Sequence, residues 1–582
     1  MRLVLTIGFL LACAIVTSGE VHFMKLHQDG VTGSCTILDQ ETLRKFKGLQ
    51  SEDENALLVK VRPAVIPPPA DGPIQQHPDD IDSSKIVEIY AKSLSILEIH
   101  VEKLCKSTKT LAPIVFSPKQ SPEVVKIVDG GDQTNRIDVV FMGDGYQAEE
   151  RQEFFDDIDR LVTDMFEGAT FRSYLPLFNI WAVFVASVES GIGYDGAINT
   201  PFRLYRQAGQ LRAIYPGNPQ YARQVCQLTG ASGCEYPSLI GNDDFYGGLG
   251  GEFVISTRSN RTGTVVLRHE MGHNFADVGE EYDGGSVYSG VNAARAVNSL
   301  GWTPWLTSTA REERVAYRLL EYLWVDLAQT NVSLTFNSDG AYSRWFMTIS
   351  VTAAGEADSL EFAIDGEPLP WTSLGSDDRE FYEWFNPRGF TPGSHILTIR
   401  SKTVPTHPSI QRMVASVDLH EFGSEAEFVI DNEHVSAYPT FDYRGAKTFR
   451  PTNAGCLMRN MTHNKFCSVC QEGIWSQFLQ RISLIDAVIV APGASAPLPV
   501  EVQTLRLGQL RAPGNEVVGE RLEIRWALNG TEQSQYNDLF SISADEGSWA
   551  VTVKLISPEV RADPQNLLTE TEYFAIPFKT ST

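Results

Sequence analysis

The feature that most constrains this chain is a short apolar segment that carries two histidines four residues apart. The segment spans Val265–Phe275 and reads VVLRHEMGHNF. Residues at positions i and i+4 share one face of an α-helix, so His269 and His273 can both reach one metal ion if the segment is helical. Glu270 then lies beside that ion, where a carboxylate can act as a general base. The pattern therefore predicts a metal-binding helix.

The surroundings of this motif favour the metal site over an ordinary solvated helix. HExxH occurs by chance in long chains, where its polar residues simply face water. Here the neighbouring side chains are largely apolar, and burying unpaired polar groups costs several kcal/mol. Gly263 and Thr264 precede the apolar run and predict a turn with a capping hydroxyl. We therefore expect a buried helix and one catalytic Zn²⁺ as the cofactor.

A catalytic zinc ion usually has three protein ligands and one open position. In the pattern H-E-x-x-H-x-x-G-x-x-H a glycine turns the chain and a third histidine follows. This sequence has Ala276 in place of that glycine and Gly279 in place of that histidine. A carboxylate is also a competent ligand, so Glu280 or Glu281 is expected to complete the site, with Glu280 favoured. Asp277 is disfavoured because it lies one turn beyond the second histidine.

The residues that follow the motif give it a specific resemblance. The stretch His269–Tyr282 reads HEMGHNFADVGEEY and is similar to the signature of the IgA-peptidase family of metzincin-like metallopeptidases, which carry an acidic-acidic-Tyr step after HExxH. Further similar stretches are Asp138–Tyr146, Phe178–Ile180 with Ser187–Gly191, and Arg450–Pro451 leading to Cys456–Arg459. The resemblance covers about residues 125–290 and 430–480. It implies a metzincin-like catalytic domain.

The resemblance also implies roles for residues outside the helix. Met458 is similar to the methionine of a Met-turn, an apolar floor beneath the zinc ligands. The candidates to stabilise a tetrahedral oxyanion are Tyr282, Tyr438 and Tyr443, although aromatic residues more often serve packing. His434 is a candidate to hydrogen-bond a metal ligand, or else a solvent-exposed histidine.

The amino terminus and the overall charge indicate where such a protein acts. Met1 and Arg2 precede an apolar run to Val16 and small residues to Gly19, which is typical of a signal peptide over residues 1–19. The remaining sequence contains no run of about 18 apolar residues that could span a membrane. With 48 basic and 73 acidic residues, the net charge of −25 argues against nucleic acid as a partner. We expect a secreted, extracellular protein that acts on a protein or peptide.

Seven cysteines remain after Cys13 is removed with the signal peptide, so at least one is not in an internal disulfide. Secretion favours disulfides, and the expected pairs are Cys226 with Cys234 and Cys35 with Cys105. A third cluster contains Cys456 and a C-x-x-C pair at positions 467 and 470. A structural disulfide is favoured there over a zinc or redox site. The N-x-S/T sequons that fit a glycoprotein are Asn260, Asn331, Asn460 and Asn529.

The periodicity of apolar residues divides the chain into regions. Alternating strand and helix patterns from Ile137 to Ser256 predict a mixed sheet backed by helices. Alternating strands with glycine turns predict a β-sandwich inserted into the catalytic domain. The predicted division is a β-rich domain or pro-segment at 20–125, catalytic domain at 126–330 and 431–490, the insert at 331–430, and a C-terminal β-rich domain at 491–582. The predicted fold class is thus α/β (α+β), with a sandwich insert and flanking β domains.

The sequence supports zinc-dependent hydrolysis of peptide bonds, with Glu270 as the general base. The family resemblance does not define the substrate, because specificity resides in loops and accessory domains. The alternative is a secreted surface-binding protein in which the metal site is structural or vestigial. Retention of both histidines and of Glu270 favours the enzyme. A further alternative places Cys35 of an inhibitory pro-segment on the zinc.

Overall fold

The computed structural model describes residues 20–43, 46–49, 53, 55–66, 83–111, 121–168, 170–206, 213–230, 232–285, 288–404, 411–442, 444–493 and 495–577. It is a mixed α/β protein with many sheets and few helices. The predicted signal peptide, residues 67–82 and Tyr443 lie outside the described residues. The helices in the described ranges are α1 (Leu94–Leu104), α2 (Arg151–Phe166), α3 (Pro219–Cys226), α4 (Gly263–Phe275) and α5 (Ser468–Arg481). None of them has the length and apolarity needed to cross a bilayer.

The amino-terminal region is built on one five-stranded sheet, in the order β3-β5-β1-β2-β6. Helix α1 and the Cys35–Cys105 disulfide close its apolar core. Because Cys35 is in a disulfide, this structure does not offer it as a thiolate ligand. The strands of the region are β1 (Val21–Gln28), β2 (Cys35–Leu43), β3 (Leu57–Pro63), β4 (Val65–Ile66), β5 (Lys85–Ala91) and β6 (Thr108–Thr110).

A second five-stranded sheet forms the centre of the molecule. Its strands and the short pairs beside it are β7 (Glu123–Val128), β8 (Ile137–Asp144), β9 (Phe178–Phe184), β10 (Gly193–Tyr194), β11 (Leu204–Arg206), β12 (Tyr215–Pro216), β13 (Tyr236–Gly241), β14 (Gly250–Gly251) and β15 (Val254–Thr257). The order is β15-β13-β8-β9-β7. The first four of these strands are parallel to one another, and β7 is an antiparallel strand at one edge. The mixed sheet is as predicted, but strands β7 and β13 were not predicted.

Both faces of this sheet are buried, as alternation along β8 shows. Val139 and Phe141 pack in the core that contains α2 and α4, whereas Val140 and Met142 pack in the core that contains α3. Side chains alternate between the faces of a strand, so a strand covered on both sides is apolar throughout. Helix α4 follows β15 and packs against it. This arrangement places the HExxH helix beside the edge of the sheet.

The inserted strands form two sheets that share one core, as a sandwich requires. They are β16 (Val315–Glu321), β17 (Val325–Asp326), β18 (Val332–Ser338), β19 (Arg344–Val351), β20 (Leu360–Ile364), β21 (Glu367–Pro368), β22 (Glu380–Asn386), β23 (Gly393–Ser401) and β24 (Met413–Phe422). One sheet has the order β16-β24-β19-β22 and the other β18-β23-β20-β21. Because β16 pairs with β24, these sheets begin before residue 331.

After the insert the chain returns to the central core. A hairpin of β25 (Tyr438–Phe441) and β26 (Lys447–Arg450) leads to α5, whose Ile474 and Phe478 pack in the core that contains α4. The last strands form two further sheets, from β27 (Ile485–Val490), β28 (Leu498–Thr504), β29 (Arg521–Leu528), β30 (Thr531–Glu532), β31 (Ser541–Ala544), β32 (Gly547–Ile556) and β33 (Thr569–Ile576).

Candidate metal centre

Helix α4 carries the HExxH residues and is buried along nearly its whole length. It starts at Gly263, with Thr262 as its N-cap, rather than with a cap from Thr264. The Thr262 hydroxyl makes no capping hydrogen bond and instead donates to Asp378 Oδ2 at 2.7 Å. The predicted capping residue was therefore wrong, because Thr264 lies within the helix and its hydroxyl donates to Asp164. The helix itself is where the sequence predicts it.

The two histidines and Glu280 form a compact cluster. Glu280 Oε2 lies 3.2 Å from His269 Nε2, and Glu280 Oε1 lies 3.1 Å from His273 Nε2. One ligand atom from each residue lies within 4.8 Å of the other two. Within the described residues, His269 Nδ1 is buried without a hydrogen-bond partner. Two imidazole nitrogens and a carboxylate oxygen are a donor set that fits a divalent metal ion.

Neighbouring groups orient these donors. The Val278 carbonyl lies 2.8 Å from His273 Nδ1, so that nitrogen can donate its proton and leave Nε2 for the metal. The Tyr282 hydroxyl donates to Glu280 Oε1 at 3.0 Å. A metal ligand held by a second hydrogen bond keeps its orientation and its basicity. Two of the three cluster residues, His273 and Glu280, are therefore held in position by a further hydrogen bond.

The charges of the cluster are complementary. Burial opposes protonation of His273, but the Glu280 carboxylate that faces it raises the pKa of the imidazole to about 9. Burial likewise opposes ionisation of Glu280, yet the two imidazoles hold the pKa of its carboxyl well below the usual range. Metal ligation requires the deprotonated imidazole. A cation bound here would thus take the place of the proton that His273 holds in its absence.

The turn after α4 brings Glu280 back towards the helix. Asn292 accepts from Gly279 N–H at 2.8 Å and donates to the Gly279 carbonyl at 2.9 Å. A Cβ at Gly279 would lie 2.0 Å from the Ser289 carbonyl oxygen, so only glycine fits at this position. Asn292 was not singled out from the sequence, because its role depends on this close approach of two loops.

The other acidic candidates lie elsewhere. Asp277 is exposed, consistent with its being disfavoured as a ligand. The fully buried Glu281 side chain accepts from Asn292 Nδ2 at 2.8 Å and lies beside Cys470. The structure therefore brings Glu280, and not Glu281, to the two histidines.

Met458 lies beneath the middle of α4. A Cβ at Gly272 would lie 3.2 Å from Met458 Sδ and 3.1 Å from a ring carbon of Phe466. The Met458 carbonyl accepts from Glu281 N–H at 3.1 Å. Met458 is fully buried, so it forms an apolar support between the helix and the loop that carries Glu280.

The remaining predicted residues are not gathered at this cluster. The Tyr438 hydroxyl donates to the Val429 carbonyl at 2.6 Å, inside an aromatic group that contains Phe428. His434 pairs with the Thr307 hydroxyl at 2.6 Å. Of the tyrosine candidates, Tyr282 lies beside the cluster and Tyr438 does not. Tyr443 lies outside the described residues. The sequence alone does not determine where the side chains of Tyr438 and His434 point.

A cleft of about 450 Å³ opens above the cluster, and His269, Glu270 and Glu280 line its inner wall. The opposite wall is the outer face of the insert sheet that contains β19, β22 and β24. Its lining residues include Phe346, Phe381, Phe385, Asp418, His420 and Phe422. This wall could not be predicted from the sequence. Its position depends on how the sandwich packs against the catalytic region.

The cysteines are paired only in part. Disulfides join Cys35 to Cys105 and Cys226 to Cys234, as expected. Cys456, Cys467 and Cys470 are buried free thiols. The favoured C-x-x-C disulfide is therefore absent from this structure, where Cys467 Sγ and Cys470 Sγ are 3.6 Å apart.

Comparison with known proteins gives one family match. A comparison with curated proteins finds no match. Similar solved structures include a GH2 beta-galacturonidase from Eisenbergiella tayi bound to glycerol (10% identity, TM-score 0.12, 42% of this chain and 34% of that chain). Another is a glycosyl hydrolase family 2 member from Bacteroides cellulosilyticus DSM 14838 (9% identity, TM-score 0.13, 42% and 28%). Similarities this low support no conclusion about fold or function. The chain spans about a third or less of either protein.

The family comparison agrees with the motif and the site. The model of the family described as IgA Peptidase M64 matches residues 125–336, which contain the central sheet, α4 and Glu280. This similarity supports a peptidase and implies a metal ion, for which the cluster on α4 supplies suitable donors. The likeness of this chain to the IgA Peptidase M64 family thus extends over residues 125–336.

Proposed function

We propose that this chain is a secreted, zinc-dependent endopeptidase with a metzincin-like catalytic core. His269, His273 and Glu280 hold the zinc ion, and Glu270 is the general base. The observation that carries the proposal is the position of Glu280, whose two carboxylate oxygens face both imidazoles at 3.1 and 3.2 Å on the inner wall of a cleft. Three protein donors leave one position of a tetrahedral zinc site open, as catalysis requires.

The residues of the chain divide the chemistry between them. When bound, zinc supplies the Lewis acidity that activates water and polarises the substrate carbonyl. Glu270 projects into the cleft from the helix between the histidines, so it can accept the proton of the attacking water. The same carboxyl group then donates that proton to the leaving amine. Tyr282 also lines the cleft, and we propose that its hydroxyl shifts its hydrogen bond from Glu280 Oε1 to the developing oxyanion.

The sandwich insert forms the substrate-binding wall in this proposal. Its aromatic rings face the cleft opposite α4, and Phe385 is 49% exposed. Flat apolar rings bind side chains of a peptide through burial of their surface. The net charge of −25 favours neutral or basic peptides over acidic ones. A protein or peptide is therefore the proposed substrate class.

Secretion and the division into domains belong to the same proposal. The apolar segment at residues 1–19 and the two disulfides support passage through an oxidising compartment. Three of the four sequon asparagines, Asn260, Asn331 and Asn529, are exposed and accessible to glycosylation. We retain the division at 20–125, 431–490 and 491–582 for the design of truncations. The boundary between the first catalytic segment and the insert moves from 330 to before Val315, because β16 pairs with β24.

The test is metal content together with peptide cleavage on the purified full chain. A peptide library from a digested proteome serves as substrate, read by mass spectrometry. Glu270→Gln is expected to keep its zinc and lose turnover about 10²–10⁴-fold. Glu280→Ala is expected to lose one zinc per chain, whereas its matched control, the exposed Asp277→Ala, keeps it. A wild-type chain that binds no zinc at the histidines and cleaves nothing would instead support the surface-binding alternative.

A further inference from the structure

A second cluster of metal-ligand side chains lies on the other side of the Glu280 loop. Cys470 Sγ is 3.7 Å from Cys456 Sγ and 3.6 Å from Cys467 Sγ. The carboxylate of Glu281 approaches the same point, with Oε1 at 3.6 Å from Cys470 Sγ. One ligand atom from each of the four residues lies within 4.8 Å of every other. All four residues are buried.

These separations are those of ligands around one ion. With Zn–S at about 2.3 Å and Zn–O at about 2.0–2.2 Å, tetrahedral geometry places two sulfurs ~3.8 Å apart and a sulfur and an oxygen ~3.5 Å apart. A disulfide bond would bring two sulfurs to about 2.0 Å and leave the third thiol over. The three distances from Cys470 Sγ are nearly equal, at 3.6–3.7 Å. This arrangement therefore fits three sulfurs around one shared ion better than one disulfide and a third, free thiol.

The described residues around Glu281 do not satisfy both oxygens of its carboxylate. Its Oε1 accepts from Asn292, but its Oε2 is buried without a hydrogen-bond partner. Within the described ranges no Lys or Arg forms an ion pair with this carboxylate. Burial of an unpaired carboxylate is costly, and coordination to a cation removes that cost. This unpartnered oxygen is a second observation that points to a ligand, independent of the three sulfurs.

We propose that Cys456, Cys467, Cys470 and Glu281 bind a second zinc ion, with a structural role. Three thiolates and one carboxylate in a closed tetrahedral set favour zinc over the oxygen-preferring ions Mg²⁺ and Ca²⁺. The cysteines bind as thiolates, so each thiol releases its proton on metal binding. All four tetrahedral positions are protein atoms, so no position remains for water or substrate.

The location of this ion gives it a positioning role in the molecule. It would join three segments that are far apart in sequence: the loop after α4, the turn that contains Met458, and the first turn of α5. Glu281 is the neighbour of Glu280 in the chain, and its backbone N–H donates to the Met458 carbonyl. Fixing Glu281 therefore fixes the backbone from which Glu280 reaches the histidines. The inference goes beyond the proposed peptidase and does not depend on catalysis.

Metal analysis and cobalt spectroscopy on the full chain test the proposal. Wild type is expected to hold two zinc ions per chain. Cobalt exchanged into it should show thiolate-to-cobalt charge-transfer absorption, which a histidine–carboxylate site cannot give. Cys470→Ser should hold one ion and lose that absorption. His273→Ala, the matched control, should also hold one ion but keep the absorption, which separates this proposal from the peptidase one.

Two further measurements keep the test decisive if Cys470→Ser does not fold. Glu281→Gln keeps the acceptor for Asn292 but removes the charge, and should weaken zinc retention at the cysteines at least tenfold in a chelator competition. Thiol titration of denatured wild type in chelator, without reductant, should give three thiols. A disulfide among the three cysteines, with a single reactive thiol and no cobalt–thiolate band, would overturn the proposal.

Discussion

Glu280 and Glu281 are consecutive residues whose carboxylates enter two different clusters. Glu280 faces His269 and His273 at about 3 Å, and Glu281 contacts Asn292 and Cys470. Successive side chains of an extended segment point in opposite directions. This pair therefore joins the candidate catalytic centre to the cysteine cluster through a single peptide unit. Asn292 anchors the segment that contains this pair, because its side chain hydrogen-bonds Gly279 as well as Glu281.

Removal of the Asn292 side chain tests this connection. Asn292→Ala deletes the hydrogen bonds to Gly279 and Glu281, so the loop that presents Glu280 loses its anchor. We expect zinc affinity at the histidines to fall about 10–100-fold, the usual effect of losing a group that orients a ligand. A competition titration with a chelator measures the change. The exposed Asn298→Ala is the control, and equal affinity in the two variants would contradict the role of Asn292.

The contact between α4 and Met458 leads to a prediction about stability. Gly272→Ala places a methyl group 3.1–3.2 Å from Phe466 and Met458, which is closer than ordinary packing. We expect the unfolding free energy to fall by about 1–3 kcal/mol. Thermal denaturation of the zinc-loaded protein measures it. Gly301→Ala is the control, because its added methyl group would meet no heavy atom nearer than 4.0 Å; an equal effect in both variants would contradict the packing argument.

The insert wall of the cleft predicts a change in substrate binding. Phe385→Ala removes a half-exposed ring from that wall without touching the metal ligands. We expect KM for cleaved peptides to rise about 10-fold while kcat stays near its original value, because burial of substrate surface is lost. Ile396→Ala on β23, in the other sheet of the sandwich, removes a similarly exposed apolar side chain and serves as control. A fall in kcat alone would argue against a binding role.

Asp138 predicts a pH dependence of stability. Burial raises the pKa of this carboxyl to about 6, although Trp181 Nε1 donates to it at 2.7 Å. An unfolded aspartate has a pKa near ~3.9, so between these values the folded state binds more protons. The contribution of Asp138 to the unfolding free energy is therefore present below the unfolded value and is lost as the pH rises through about 6.

Asp138→Asn removes this titration and keeps an acceptor for Trp181. We expect the stability of wild type relative to the variant to be higher at pH 5 than at pH 8 by about 1 kcal/mol. Denaturant midpoints at the two pH values measure the difference. Asp156→Asn, an exposed change on α2, should show no such trend. A relative stability that rises with pH would reverse the sign of the argument.

The parts that could be predicted from the sequence are those with local causes. The helix over the HExxH residues follows from spacing and apolar neighbours, and Glu280 follows from the need for a third donor after a turn. Strands β8, β9 and β15 of the central sheet follow from apolar runs, whereas β7 and β13 were not predicted. The case of β13 is the clearest. Its sequence, YPSLIG, is short and contains a proline and two small residues. Its pairing with β8 and β15 decides its conformation.

The parts that could not be predicted depend on tertiary packing. Cys467 and Cys470 fit a disulfide as well as a metal site until Cys456 and Glu281 are seen beside them. Nothing in the order of residues shows that β24 of the insert faces α4 across a cleft. Tyr438 illustrates the same limit, because its hydroxyl is used by a carbonyl of the adjoining loop.

The insertion of the sandwich has a consequence for how the molecule is made. The ribosome releases the histidines and Glu280 first, then the whole sandwich, and only afterwards Met458 and α5. Domains generally fold as units during synthesis, from the amino terminus onward. The nascent chain therefore carries the metal donors for some time without the floor that supports them, and the sandwich can fold before that floor arrives. A growing polypeptide would therefore complete the candidate metal centre only after the whole sandwich has been synthesised.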